Sequence, residues 1–142
     1  MAFRLAKGGH HVEWHPKKAS TAFDVGDLVY ADGSGAVQPA DATSGNHIGI
    51  CMKKVASTDD DYASTTAIMI LVPHDDAELD ADVGTGTLTA AMVGNYYDLA
   101  DETGIDVSAQ SKNVVLITKF ISASKARIKI NAMAANANVA TT

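Results

Sequence analysis

The densest set of side chains able to do chemistry lies near the N-terminus, where His10, His11, Glu13 and His15 fall within six residues. In an extended strand alternate side chains share a face, so His11, Glu13 and His15 would point the same way and offer two imidazoles and a carboxylate to a zinc ion. A catalytic zinc also needs ligands held rigid by outer hydrogen bonds. These residues follow Gly8-Gly9 in a stretch without sustained periodicity, so the sequence does not supply that rigidity and no metal is assigned to His10, His11 or His15.

A second cluster, Asp75, Asp76, Glu78, Asp80 and Asp82, invites a calcium reading but lacks the glycine and terminal glutamate of an EF-hand loop. It reads as a solvated acidic connector, as does Asp59-Asp60-Asp61. Gly84-Thr85-Gly86-Thr87 has the glycines of a phosphate loop without its lysine or its strand–loop–helix context, so it reads as a turn. No serine sits in a nucleophile elbow, and His47 and His74 have no partner in sequence. The single cysteine, Cys51, lies in an apolar strand as a buried thiol, which rules out an intrachain disulfide and a multi-thiolate metal site. The expectation is a protein that is not an enzyme, holds no cofactor and takes no small-molecule substrate.

The elements that position these residues are short and β-like. With 142 residues, 46% hydrophobic and 20% charged, the chain has the size and composition of one ordinary domain. Gly26-Asp27 precedes Leu28-Val29-Tyr30; Asp32 to Gly35 makes a turn; Ala36-Val37-Gln38 returns. Ile48, Ile50 and Met52 alternate with His47, Gly49 and Cys51 as in a half-buried strand. Thr65 to His74 is a continuous apolar run of strand length, expected to be buried on both faces at the centre of the core. Asn95 to Leu99, Gly104 to Val107, Asn113 to Ile121 and Lys125 to Ile130 complete the set, with Lys125, Arg127 and Lys129 on one face of the last. Only Thr87 to Val93 suits a short helix, with Thr87 as cap and Gly94 as stop. The expected fold is therefore mainly β, a single-domain β-barrel or β-sandwich of about eight short strands with at most one short helix. Residues 1–22 read as an extended N-terminal arm with room for one short strand at Val12 to His15, 23–131 as the β domain and 132–142 as a flexible C-terminal tail.

Charge is distributed unevenly. Residues 1–20 carry four Lys/Arg and one Glu, residues 21–111 two Lys and sixteen Asp/Glu, and residues 112–142 five Lys/Arg, for a total of −6. A largely acidic surface with no basic stretch among aromatics argues against nucleic acid as a partner. The basic ends suit an acidic partner or an acidic neighbour within the chain. No apolar run approaches the roughly 20 residues that span a bilayer, and the first residues lack the apolar core of a secretory signal.

Two stretches then carry a family likeness. GDLVYADGSGAVQPADATSGNHIGICM (Gly26 to Met52) resembles the opening of small bacteriophage capsid decoration, or cement, proteins, with its Gly-Asp start, Val-Gln-Pro-Ala strand end and Ile-Gly strand. VGNYYDLADETGIDVSAQSKNVVLITKFISASKARIKI (Val93 to Ile130) is similar to their closing segment. The two cover somewhat under half of the chain, and their motifs are structural. The resemblance implies a virion protein, made in the host cytoplasm, that binds the major capsid protein on the outer surface of the mature head, as a homotrimer bridging capsomers. It further implies that the arm docks on a neighbouring subunit through Phe3, Leu5 and Trp14 with Arg4, Lys7, Lys17 and Lys18 alongside, so that deleting residues 1–18 would weaken docking without unfolding the domain. The alternatives are another virion component, such as a head-completion, tail or fibre-base protein, or a metal-dependent β-fold binding protein.

Overall fold

The computed structural model describes residues 2–131. Among these run eleven strands: β1 (Phe3–Lys7), β2 (His10–Pro16), β3 (Leu28–Ala31), β4 (Val37–Pro39), β5 (His47–Cys51), β6 (Ala67–Pro73), β7 (Glu78–Thr85), β8 (Tyr96–Asp101), β9 (Gly104–Asp106), β10 (Val115–Ser122) and β11 (Lys125–Ile130). They form a six-stranded sheet, ordered β1-β7-β11-β10-β8-β9, and a five-stranded sheet, ordered β2-β6-β5-β3-β4, packed as a sandwich-like single domain. A further parallel pairing of β9 with β7 closes the larger sheet on itself. In the smaller sheet a bridge between Lys17 and Val37 draws the ends together. Closure of this kind leaves few unpaired strand edges.

The mainly β expectation holds, with three strands more than the eight read from sequence. Two come from residues 1–22, which are not a separate arm. β1 pairs with β7 and β2 with β6, both antiparallel, so residues 3–16 lie in the two sheets. Gly8 and Gly9 turn the chain from one sheet to the other. Gly8 has φ of +95°, and a Cβ there would sit 2.5 Å from the backbone of Ala77, so this corner requires glycine. The third is β7, in the segment read as an acidic connector. In ELDADV, Leu79 and Ala81 are fully buried while Glu78, Asp80 and Asp82 take the other face, the period-two pattern of a strand.

An acidic strand is tolerated because its neighbours are basic. Asp80 lies opposite Arg4 of β1 and Arg127 of β11 in register, with Arg127 Nε donating to its carboxylate at 3.0 Å. Lys7 pairs with Glu78 at 3.0 Å and Lys125 with Asp82 at 3.7 Å. The basic ends thus flank the acidic middle within one sheet.

Two apolar clusters result. The larger joins Phe3, Leu79, Leu99, Ile117 and Ile128 of the six-stranded sheet to Leu28 and Ile50 of the other. The smaller, with Phe23, Val29, Val37, Cys51, Ile68 and Ile70, covers the opposite face of the five-stranded sheet. That sheet is therefore apolar on both sides, which corrects the half-buried reading of residues 47–52: Ile50 enters one cluster, Cys51 the other. β6 runs between β2 and β5, as its apolar sequence suggests, although it is Ile68 and Ile70 that are fully buried. The short helix read over 87–93 is a single 3₁₀ turn, Ala90–Met92, preceded by Thr89 rather than Thr87 and followed by Gly94 at φ +90°. The tail read over 132–142 lies outside the described residues.

Lys17 is fully buried, and its ammonium donates to the carbonyl oxygens of Tyr62 and Ser64. Removing the charge leaves two part-buried carbonyl acceptors without this donor and opens the space the buried lysine stem fills. Lys17→Ala is expected to lower unfolding stability by about 2–4 kcal/mol, and Phe3→Ala by about 3–5 kcal/mol through the cavity it opens. Urea denaturation of each variant measures both.

Candidate functional site

β2 forms one edge of the five-stranded sheet, held to β6 by seven consecutive register pairs from His10–Pro73 to Pro16–Ala67. Alternation divides its side chains as the sequence suggests. His11, Glu13 and His15 lie across from Val72, Ile70 and Ile68, on the side of the smaller apolar cluster, while Val12 and Trp14 lie across from Leu71 and Met69 on the other side.

The polar side is a hydrogen-bonded chain. The two oxygens of Glu13 bond His11 Nε2 at 2.6 Å and His15 Nε2 at 2.8 Å, and His11 Nδ1 bonds His74 Nε2 at 2.7 Å. The bonds from His11 and His15 hold the Glu13 carboxyl below its usual range. The imidazoles are directed at a carboxylate and at one another rather than at a common centre. Among the described residues no group of three His, Cys, Asp or Glu is arranged to hold a metal ion. The acidic cluster is likewise dispersed: Glu78, Asp80 and Asp82 face basic strands, and Asp76 accepts the backbone N–H of Gly9 at 3.1 Å.

The apolar side is exposed. Trp14 is 64% and Val12 48% accessible on a strand whose backbone is fixed by pairing. The other residues read as partner contacts lie differently. Phe3 and Lys17 are turned into the interior, because β1 supplies the core and Lys17 holds the loop at 62–64. Leu5 is half-buried against the core. Arg4 and Lys7 reach solvent but engage Asp80 and Glu78. Lys18 is exposed, 3.5 Å from the Gln38 side chain. Of the seven, Trp14 is the one large apolar group presented outward.

The remaining reactive types are accounted for locally. Burial pushes the Cys51 thiol up to about 11, and its Sγ lies 3.0 Å from the Lys53 carbonyl oxygen. Burial lowers the His47 imidazole to about 4, with Nε2 bonded to Ser44 Oγ at 3.0 Å. His47 and His74 border a cavity of about 210 Å³ between the sheets, floored by Leu28, Ile48, Val72 and Leu79.

Two carboxylates that the sequence reading passed over are structural. Burial alone would push Asp98 up, but the Ser111 hydroxyl and the backbone N–H groups of Asn113, Lys112 and Ser111 all donate to it and hold it below the usual range. Its sequence signal is a carboxylate between Tyr97 and Leu99 in an apolar strand. Asp27 is 5% exposed and accepts the N–H of Asp24; burial, reinforced by Glu102, Asp24 and Asp101, raises it to about 6. Asp27 belongs to the Gly-Asp start of the first stretch and Asp98 to Tyr97-Asp98-Leu99 of the closing one, and both hold turn and loop geometry.

No protein-family model and no curated protein matches the chain.

Asp27 sets a pH dependence. Its folded pKa lies above the unfolded value, so the folded state binds the proton more tightly and this group's contribution declines as pH rises from about 4 through about 6. Asp27→Asn is expected to gain on the native protein across that window, by no more than about 2 kcal/mol once partial solvent contact is allowed for. Paired denaturation curves at pH 4.5 and 7.5 measure the difference. Asp98→Ala, which strands three backbone donors, is expected to cost about 2–4 kcal/mol at neutral pH.

Proposed function

We propose that this protein is a structural component of a bacteriophage virion that binds the outer surface of the expanded head and braces neighbouring capsomers without catalysing a reaction. The observation that carries the reading is Trp14, 64% exposed beside Val12 on an edge strand held in register to β6 along its whole length. A large aromatic held in place before binding loses little freedom on docking, and such residues dominate interface energetics. The likeness of residues 26–52 and 93–130 to decoration proteins supplies the partner, the major capsid protein, and the trimeric state.

The physics of this role is economical. A protein that binds the expanded lattice and not its precursor stabilises that lattice by mass action. Three copies joined as a trimer engage three sites at once, so a modest contact at each gives tight attachment. The three acids of β7 are matched to bases on β1 and β11, and the exposed Val12–Trp14 side of β2 is the docking feature this reading uses.

Light scattering is expected to give the mass of a trimer, or of a monomer that assembles on the lattice. Co-sedimentation should show binding to expanded heads and not to unexpanded ones. Trp14→Ala should weaken that binding by roughly tenfold to a hundredfold, the range of an anchor residue, with an unchanged melting temperature. Binding to tails rather than heads would move the assignment to another virion part; binding to neither would remove it.

A further inference from the structure

At the corner between the sheets, β1 and β2 run alongside β7 and β6 and both strand pairs bend together. The backbone contacts there are few: His74 N–H donates to the Gly9 carbonyl at 2.9 Å, and Gly9 N–H donates to Asp76 Oδ1. The side-chain contact across the same corner is His11 with His74, ring centroids 5.0 Å apart and inclined by 41°, with Nδ1 and Nε2 separated by 2.7 Å. We propose that the His11–His74 pair is an acid-released latch that holds the start of β2 to the β6–β7 turn.

The number of protons on the pair decides whether the contact holds. His11 Nε2 faces the Glu13 carboxylate and carries a hydrogen toward it. When both rings are neutral, His11 Nδ1 is a bare acceptor and His74 Nε2–H donates to it. When one proton is added, His11 becomes a donor at both nitrogens and His74 turns to the other tautomer, with a bare Nε2 that accepts. The contact survives in both states. With a second proton both facing nitrogens carry hydrogen and both rings are cationic, so a separation of 2.7 Å cannot persist.

The surroundings set how the release proceeds. On β2, Glu13 and His15 lie along the same face, and His10 precedes His11 in the strand. From the turn, Asp75 and Asp76 follow His74, and Asp76 is already engaged by Gly9. Across the cavity from His74, β5 presents His47. The β6 residues facing His11, Glu13 and His15 are Val72, Ile70 and Ile68, which supply no charge. The carboxylates can neutralise one imidazolium of the pair, but they cannot remove the clash of two facing N–H groups. Opening at the corner would loosen Gly9 and the first residues of β2, on the strand that presents Trp14. The inference concerns the isolated protein and does not rest on the capsid reading.

The test is amide exchange on the full-length protein at pH 7.5 and pH 5.0, corrected for the intrinsic pH dependence of exchange, with the residue-74 and Gly9 amides as reporters and Ile128 as reference. The native protein should lose about tenfold protection at both reporters on acidification, with Ile128 unchanged. In His74→Gln, whose amide can donate or accept and does not titrate, the loss should be absent. His11→Gln should behave the same way. An unchanged reporter in the native protein, a loss that persists in either variant, or a parallel loss at Ile128 would overturn the latch.

Discussion

The fold depends on one antiparallel ribbon. Residues 3–16 run beside residues 67–81, first as β1 on β7 and then as β2 on β6, so a single continuous pairing takes part in both sheets. Phe3 fills the larger core from one end of this ribbon, and Lys17, just beyond the other end, ties the loop at 62–64 and bridges to Val37. Because the ribbon turns between the sheets at Gly8 and Gly9, the relative placement of the two sheets is fixed by backbone hydrogen bonds as well as by packing. The edge strand that presents Trp14 is therefore an integral part of the domain.

Charge follows from the same pairing. An isolated strand of sequence ELDADV would repel itself, and exposed ion pairs are individually worth little. Here Asp80 is shared between Arg4 and Arg127, and Glu78 and Asp82 are each matched by a lysine, so each acid of the strand has a cation beside it. Glu78 also accepts the Thr118 hydroxyl at 2.6 Å. The separation of basic ends and acidic middle along the chain becomes, in three dimensions, alternation between neighbouring strands.

What the sequence made legible was local. Leu28 to Tyr30, Val37 to Pro39, the apolar run through Ile70 and the Lys-Arg-Lys alternation of the last strand all declare themselves by period and by turn residues. The Gly94 stop was visible for the same reason, whereas the helix read over 87–93 with Thr87 as its cap is only the 3₁₀ turn Ala90–Met92 after Thr89. β7 was hidden because acidic residues have low strand propensity, and the partners that neutralise them lie roughly 45 to 75 residues away in sequence. β1 was hidden because five residues with two charges carry little periodicity, and Lys17 because lysine is almost never fully buried without a partner, here two carbonyls 45 and 47 residues distant. The common face of His11, Glu13 and His15 could be read from alternation, whereas the contact with His74 depends on the register of β2 on β6. Of the residues read as partner contacts, Trp14 kept the exposure that reading requires, and Phe3 and Lys17 did not.

The most direct measurement on this account is the unfolding of a fragment comprising residues 19–142, followed by circular dichroism in urea beside the full-length chain. With the ribbon removed, β6 and β7 lose partners and the larger core loses Phe3, so the fragment should show no cooperative transition. A sharp transition with a urea dependence close to that of the intact protein would mean that residues 1–18 are an accessory arm and that the two sheets do not depend on the ribbon.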